Sequence, residues 1–377
     1  MKIRAAVLEQ LGASAPYAKS LPLRVQEVEL DPPGAGEVLV RIRAAGLCHS
    51  DLSVISGDRP RPVPMVLGHE AAGEVVECGA GVTDLRAGDR VVLVFMPSCG
   101  GCMPCMEGRP ALCEPGAASN TAGTLLSGDR RLHAGGLTLN HHVGVSCFAD
   151  HVVVSRRSCV KLGAEAEGLD HAEAALFGCA VLTGVGAVFN TARVQAGSTA
   201  AVLGLGGVGF SALLAAVAAG AREVIALDLN DDKLALAREL GATATFNAAH
   251  PDAAEQIRAL TRGGVDCAFE MAGAIPAMEL AWRITRRGGS TISAGLPHPD
   301  RRFSFAPVQL VGEERTLRGS YIGSAVPARD VPRYIEMYRR GKLPVNRLMG
   351  ERLTLDQINL GFDRLASGAS LRDVVLM

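Results

Sequence analysis

The sequence predicts an α/β protein built from two parts, a β-rich domain with the character of a partly open barrel and a doubly wound parallel sheet. Three observations predict it. The first 180 residues run in short apolar segments broken by Gly and Pro; from residue 181 apolar strands alternate with helical segments; and a glycine turn, VLGLGGVG at 202 to 209, joins one such strand to one such helix. At 377 residues and 48% hydrophobic, the chain has the length for two cores rather than one.

The β-rich part carries EVLVRIRAAG, AAGEVVECG, DRVVLVF and DHVVVS, each of strand length and strand composition. Residues 115 to 145 hold Gly, Ser and Asn without a clear period and read as a long loop or lobe. The second part alternates STAAVLGLG, FSALLAAVAAGA, REVIALD, DDKLALARELGA, ATATFNA, DAAEQIRALTRGG and VDCAFEMAG, the βαβ rhythm of a parallel sheet. The chain then returns to mixed character with the helix PARDVPRYIEMYRRGK and a closing strand, DVVLM. A nucleotide-type domain inserted between two parts of another domain fits this order, and no repeat of solenoid period is present.

Thirty-eight basic and thirty-nine acidic side chains leave a net charge of -1, so nothing favours nucleic acid or an anionic membrane as a partner. A small neutral or mildly charged ligand is expected. No apolar run reaches the roughly 18 residues of a membrane helix, and MKIRAAVLEQLG lacks a signal-peptide core. The expected location is the cytoplasm, where clustered cysteines serve as metal ligands more often than as disulfides.

Gly204, Gly206 and Gly209 fall in the G-x-G-x-x-G frame after a strand and before a helix. The first permits the tight turn, the second lets backbone approach a pyrophosphate, and the third packs helix on strand. The next strand ends in Asp228, placed to accept hydrogen bonds from an adenosine ribose and to repel a 2′-phosphate, which favours NAD over NADP. The alternative is a turn that serves helix packing alone, with Asp228 a surface acid.

Two cysteine-bearing sets remain. In CGGCMPCMEGRPALC, Cys99, Cys102, Cys105 and Cys113 are spaced C-x2-C-x2-C-x7-C. Bacterial iron-sulfur motifs place three residues, not seven, before the fourth cysteine. Four thiolates with no fifth ligand nearby make a closed, structural tetrahedral site, for which zinc is the default metal. The second set is dispersed through GLCHSD, LGHEAAG and FGCAVLTGVGA. Singly, Cys48, His69 and Cys179 read as core residues; together they match a Cys2His zinc site with one position open to water or substrate.

With these motifs in this order, from GLCHSD to the terminal LRDVVLM, the whole chain resembles the zinc-containing medium-chain alcohol dehydrogenase family, in particular members with the four-cysteine lobe such as class I, class III and aryl-alcohol dehydrogenases. The resemblance implies a GroES-like β-barrel catalytic domain over 1–180 and 322–377, a structural zinc lobe at about 97–115, and a Rossmann NAD-binding domain over 181–321. It implies NAD and two zinc ions per subunit as cofactors, an alcohol or aldehyde as substrate, and a homodimer or homotetramer. Cys48, His69 and Cys179 would hold the catalytic zinc, with Glu70 behind the metal and Asp51 orienting a ligand. His49 and Arg372 would flank the pyrophosphate, beside Gly204, Gly206, Gly207 and Gly209. Lys233 would reach the ribose beside Asp228; Thr183 and Val208 would press on the nicotinamide, with Ala294 and Ile322 also at the cofactor. On residues alone, His49, Lys233 and Arg372 read as ordinary solvated charges.

The resemblance also implies that Ser50 begins a proton relay, while Ser53 stands where many members carry a histidine. A serine is no base near neutral pH, so the relay ends in water or takes another route, and turnover is expected to depend more on hydroxide. The implied substrate pocket comprises Ser50, Arg59, Phe95, His142, Val143, Leu296 and Tyr321, with Arg59 at its rim. His142 is unusual among relatives, which place an aromatic or apolar group there; it is either a pocket wall or a loop histidine that points to solvent beside His141. Ala117 occupies the position at which thiol-adduct formaldehyde dehydrogenases use an arginine, which weakens that reading. The leading expectation is oxidation of primary or aryl-type alcohols with NAD; the alternatives are an S-hydroxymethyl-thiol dehydrogenase and a non-catalytic relative. Cys78, Cys147, Cys159 and Cys267 are read as small buried hydrophobes without a function.

Overall fold

The structure, a computed structural model, describes all residues 1–377. It divides into two compact units: Met1–Cys179 with Val326–Glu336 and Val345–Met377, and Ala180–Ala325 with Met337–Pro344.

The first unit contains a closed five-stranded barrel, in the order Lys2–Leu8, Leu23–Leu30, Leu132–Ala134, Leu137–His141 and Met65–Val66. The sequence suggested a partly open barrel. Closure comes from the two-residue strand Met65–Val66, which pairs antiparallel with Val7 and Leu8 and parallel with Asn140 and His141, a strand too short to show a period. Beside the barrel lies a second sheet centred on Glu37–Gly46, which pairs with Ala71–Cys78, His151–Ser155 and, at its far end, the C-terminal strand Val374–Leu376. Phe148 and the helix residue Phe362 are fully buried and meet edge to face at 6.0 Å; each such side chain contributes about 1.5–3 kcal/mol by leaving water.

Residues 115 to 145, read above as a loop, carry a helix, Glu114–Ala122, and the hairpin of two barrel strands. The hairpin turns on Gly135 and Gly136, both at positive φ, and a two-residue Gly-Gly turn is a hairpin signal that the sequence does contain.

The second unit is a six-stranded, all-parallel sheet in the order Ala244–Asn247, Glu223–Asp228, Thr199–Leu203, Val265–Glu270, Thr285–Ser293, Thr316–Gly319. Strand order reverses beside Thr199–Leu203, the first strand in sequence, and ligands of such sheets bind outside the carboxyl ends of the strands at that reversal. The glycine turn begins there. Leu203, Ile225, Leu227 and Ala268 fill the core beneath it.

Candidate active site and metal centres

Cys48 follows the strand Glu37–Gly46 and stands at the N-cap of the helix His49–Ile55. His69 and Glu70 lie between Met65–Val66 and Ala71–Cys78, while Cys179 lies just before the helix Ala180–Gly186. The fold brings the ligand atoms of Cys48, His69, Glu70 and Cys179 within 4.8 Å of one another, all four side chains buried. His69 Nε2 is buried with no hydrogen-bond partner. Two sulfurs converging with an orphaned imidazole nitrogen form a donor set that fits zinc.

Asp51, wholly buried, stands behind His69. Its carboxylate oxygens lie 3.0 and 3.1 Å from His69 Nδ1, Oδ1 accepts the Gly68 N–H at 3.1 Å, and His142 Nδ1 is 3.1 Å from the same oxygen. Phe95 and His142 both meet the His69 ring edge to face, each at 5.5 Å between ring centres. At 3% exposure, His142 is no solvent-pointing loop residue. Phe95, half-buried, and His142 thus gather around His69; Val143 is also buried and Arg59 half-exposed. Leu296 and Tyr321 belong to the second unit and are exposed.

Arg372 is 4% exposed, which excludes the solvated-charge alternative. Its Nη1 donates to the Leu47 carbonyl at 2.8 Å and to Glu70 Oε1 at 3.1 Å. Burial pushes the Glu70 carboxyl up to about 7, against the pull of Arg372. The thiols of Cys48 and Cys179 share a hydrogen bond that, with burial, holds Cys179 well above the usual thiol range; the same bond, with Arg372 and His69, draws Cys48 well below it. Burial opposes a charge on His69, but Asp51 and Cys48 outweigh it and hold His69 well above its ordinary value. Asp51 is likewise penalised by burial, yet His69 and His142 draw it below the ordinary carboxylate range. The lowered Cys48 thiol is thereby disposed to the thiolate form, the form in which cysteine binds a metal.

Cys99, Cys102, Cys105 and Cys113 form a second group with ligand atoms within 4.8 Å, and all ten cysteines of the chain are free thiols. Cys113 Sγ accepts the N–H groups of Cys99 and Gly116 at 3.1 and 3.3 Å; Cys99 Sγ accepts those of Gly101 and Cys102 at 3.4 and 3.3 Å. Those last two donors lower the Cys99 thiol to about 6, while burial raises Cys105 to about 12. The backbone thus presents N–H donors to sulfur as metal-bound thiolates need.

In the second unit Gly204 takes φ +90, and a Cβ on Gly209 would stand 1.8 Å from the Gly204 carbonyl, so turn and helix close on each other there. A Cβ on Gly206 would meet nothing within 4 Å. The open space faces the N-terminus of the twelve-residue helix Gly207–Ala218, the place for a pyrophosphate. A cavity of about 750 Å³ begins at Gly204 and Asp228 and runs past Leu229 to Trp282, large enough for an adenosine. Asp228 accepts from Leu205 N–H at 2.6 Å and Asn230 N–H at 3.0 Å, leaving lone pairs for a ribose. Lys233 lies in the first turn of the next helix, half-exposed. Thr183 and Val208 sit on helices in contact, since a Cβ on the neighbouring Gly184 would stand 2.2 Å from the Val208 carbonyl. Gly207 opens the helix after the turn, Ala294 N–H donates to the Glu270 carbonyl, and Ile322 is buried at φ +47. His49 is exposed and Ser50 half-buried in the first turn of the helix after Cys48.

Asn120 and Ser146, which shape the first unit's site, went unnoticed in the sequence, and Cys147 was read there only as a small buried hydrophobe. Asn120 is buried and donates to the Phe95 carbonyl at 2.8 Å; Ser146 Oγ accepts the His142 N–H at 2.9 Å; Cys147 Sγ approaches the Glu70 carbonyl at 3.6 Å. No local pattern marks them, because they act through contacts that exist only once residues 115 to 147 fold back on the barrel. Ser53 Oγ donates to the His49 carbonyl at 2.9 Å, so its hydroxyl is spent within its own helix.

A barrel unit with a buried Cys2His donor set and a four-cysteine lobe, together with a parallel-sheet unit carrying a phosphate-binding turn, defines the class of zinc- and NAD-dependent dehydrogenases. Known proteins agree. Residues 34–164 match the family described as alcohol dehydrogenase GroES-like domain, and residues 207–340 match zinc-binding dehydrogenase. The chain is 37% identical over 379 residues to S-(hydroxymethyl)glutathione dehydrogenase from Synechocystis sp., covering 100% of both chains. Among solved structures, it resembles an alcohol dehydrogenase zinc-binding domain protein from Burkholderia ambifaria (TM-score 0.93, 34% identity, 100% and 99% of the two chains). Benzyl alcohol dehydrogenase from Acinetobacter calcoaceticus is similar to the same extent (TM-score 0.92, 31% identity, 100% and 99%). The chain belongs to the zinc-containing medium-chain alcohol dehydrogenase family, and is an oxidoreductase with zinc and NAD as cofactors.

Proposed function

We propose that this enzyme oxidises primary alcohols of aryl type to aldehydes with NAD, and runs the reverse reaction. The observation that carries the reading is the orphaned, buried His69 Nε2 converging with Cys48 and Cys179 beside the edge of Phe95. Cys48, His69 and Cys179 would hold a zinc ion, whose Lewis acidity would lower the pKa of an alcohol bound beside them. Asp51 keeps the proton on His69 Nδ1, so that Nε2 presents its lone pair. Arg372 restrains Glu70 behind the ligands, and the pyrophosphate is assigned to Arg372 and His49. Ser50 would receive the alcohol proton, and with Ser53 bonded to its own helix the proton would then leave through water. Gly204, Gly206, Gly207, Gly209 and Asp228 seat the dinucleotide, Lys233 flanks the ribose, and Thr183, Val208, Ala294 and Ile322 face the nicotinamide end. Cys99, Cys102, Cys105 and Cys113 hold a structural zinc.

An aryl substrate is favoured because Phe95, edge to face with His69, gives the metal's surroundings an aromatic wall. A second reading, oxidation of an S-hydroxymethyl thiol, rests on the relative from Synechocystis sp.; Ala117, exposed on the helix Glu114–Ala122, offers no cation for a substrate carboxylate. No single helix is long and apolar enough to cross a membrane; a cytoplasmic homodimer or homotetramer is part of the proposal. The test is NADH formation from benzyl alcohol and aliphatic alcohols without thiol, run beside formaldehyde with and without glutathione. Activity on formaldehyde only when glutathione is present, with none on the alcohols, would replace the first reading with the second.

A further inference from the structure

Asp51 is approached by two imidazoles. His69 Nδ1 stands 3.0 Å from Oδ2, and His142 Nδ1 lies 3.1 Å from Oδ1, within ion-pair distance but off the line of a hydrogen bond; the Gly68 N–H donates to Oδ1. His142 is itself 3% exposed and its ring packs edge to face on His69. The turn that presents it is locally costly. Val143 and Ser146 take φ of +44 and +54, and a β-branched residue in that region is a genuine outlier. The turn is closed by Val145 N–H on the His142 carbonyl at 3.0 Å and by the His142 N–H on Ser146 Oγ at 2.9 Å. Strain of this kind, of order 1–3 kcal/mol per residue, persists where the surroundings impose it, and it gathers at functional positions.

We propose that His142 is a positioning residue for the metal centre: its Nδ1, held against Asp51 Oδ1 beside His69, restrains Asp51, so that the carboxylate fixes the tautomer and tilt of the His69 ring. A carboxylate with a single imidazole partner can rotate about its χ2 and carry that ring with it; a second imidazole held against Oδ1 removes that freedom. His142 thereby acts behind the site as well as lining it, and its Nδ1–H tautomer leaves Nε2 as an acceptor. The proposal rests on the reading of His69 as a zinc ligand.

The test compares the holoenzyme with His142→Phe and His142→Asn. Phenylalanine keeps the ring packed on His69 without a donor, whereas the asparagine amide nitrogen can stand where Nδ1 stood. Zinc release to a chelator is followed, with the four-cysteine site as an internal control, along with the visible spectrum of the cobalt-substituted proteins. The expected result is that H142F loses the catalytic zinc on the order of 10–100 times faster, the range for removal of a group that orients a metal ligand. Its cobalt bands shift, the four-cysteine zinc is unaffected, and H142N returns both readouts to near wild type. Wild-type release from H142F, or an H142N variant as impaired as H142F, would overturn the proposal, the latter because it would show that packing alone matters. A wild-type protein that binds one zinc rather than two fails before any variant is made, and would overturn the zinc reading and this inference with it.

Discussion

Arg372 Nη1 lies 3.1 Å from Glu70 Oε1, and both side chains are out of contact with solvent. Their partnership spans 302 residues of sequence and ties the C-terminal segment to the loop that carries His69. Neither charge is tolerable alone in that position. Removal of one member of such a buried pair costs about 3–5 kcal/mol because the other is left uncompensated. Arg372→Leu is therefore expected to lower the urea-unfolding free energy by about 3 kcal/mol. Adding Glu70→Gln to that variant should recover a large part of the loss; equal stability of the single and double variants would show that the pair is not coupled.

The glycine turn separates stability from binding. Gly206 has ordinary extended backbone, φ −82 and ψ −171, and empty space where a Cβ would go. Gly206→Ala should keep the wild-type unfolding midpoint or gain up to about 1 kcal/mol, while its NAD dissociation constant rises at least tenfold in a fluorescence titration. Gly209→Ala drives a methyl into the Gly204 carbonyl and should cost at least about 2 kcal/mol.

Asp228 sets the choice of dinucleotide by charge. Asp228→Asn keeps an acceptor for the Leu205 N–H, bonded at 2.6 Å, and removes the charge that repels a 2′-phosphate. The ratio of kcat/KM for NAD to that for NADP is expected to fall by on the order of a hundredfold, roughly 2.7 kcal/mol. An unchanged ratio would place the discrimination elsewhere.

His141 supplies a pH dependence of stability. It is fully buried, its Nε2 accepts the Arg131 N–H at 3.1 Å, and burial lowers its pKa to about 3 from an ordinary 6.5. The unfolded chain binds this proton below about pH 6.5 and the folded chain does not, so the contribution is complete above 6.5 and is lost as pH falls toward 3. Between pH 7 and pH 5 the loss amounts to about 2 kcal/mol. His141→Gln, which retains an acceptor, should flatten the urea-unfolding free energy over this range by that amount; parallel curves for the two proteins would contradict the assignment.

The parallel-sheet unit was legible because strand, turn and helix are contiguous there: Gly204 to Gly209 and Asp228 carry their chemistry within about 25 residues, and local pattern reports local structure. The four-cysteine lobe was legible for the same reason. The Cys48, His69 and Cys179 set was legible only as a combination, since each motif is unremarkable by itself and the three converge only in the folded unit. What escaped was the segment from 115 to 147. Its strands are three and five residues long, below the length at which alternation is visible, and they are stable only as barrel members. The Gly135-Gly136 turn was a signal that the lack of period around it obscured. With that segment unread, Asn120 and Ser146 could not be foreseen, and the choice between the two readings of His142 stayed open. Arg372 looked like a surface charge because nothing near it in sequence reveals the buried Glu70 it faces.

The central claim, that Cys48, His69 and Cys179 hold an open zinc for thiol-independent alcohol oxidation, is tested most directly by the initial rate of NADH formation from benzyl alcohol, without thiol. It is measured on wild-type enzyme and on Cys179→Ser, with the zinc content of each. The account predicts turnover by the wild type with two zinc ions per chain, and, for the variant, loss of turnover with loss of one zinc. Undiminished turnover by the variant, or a wild type with two zinc ions that oxidises no alcohol, would contradict it.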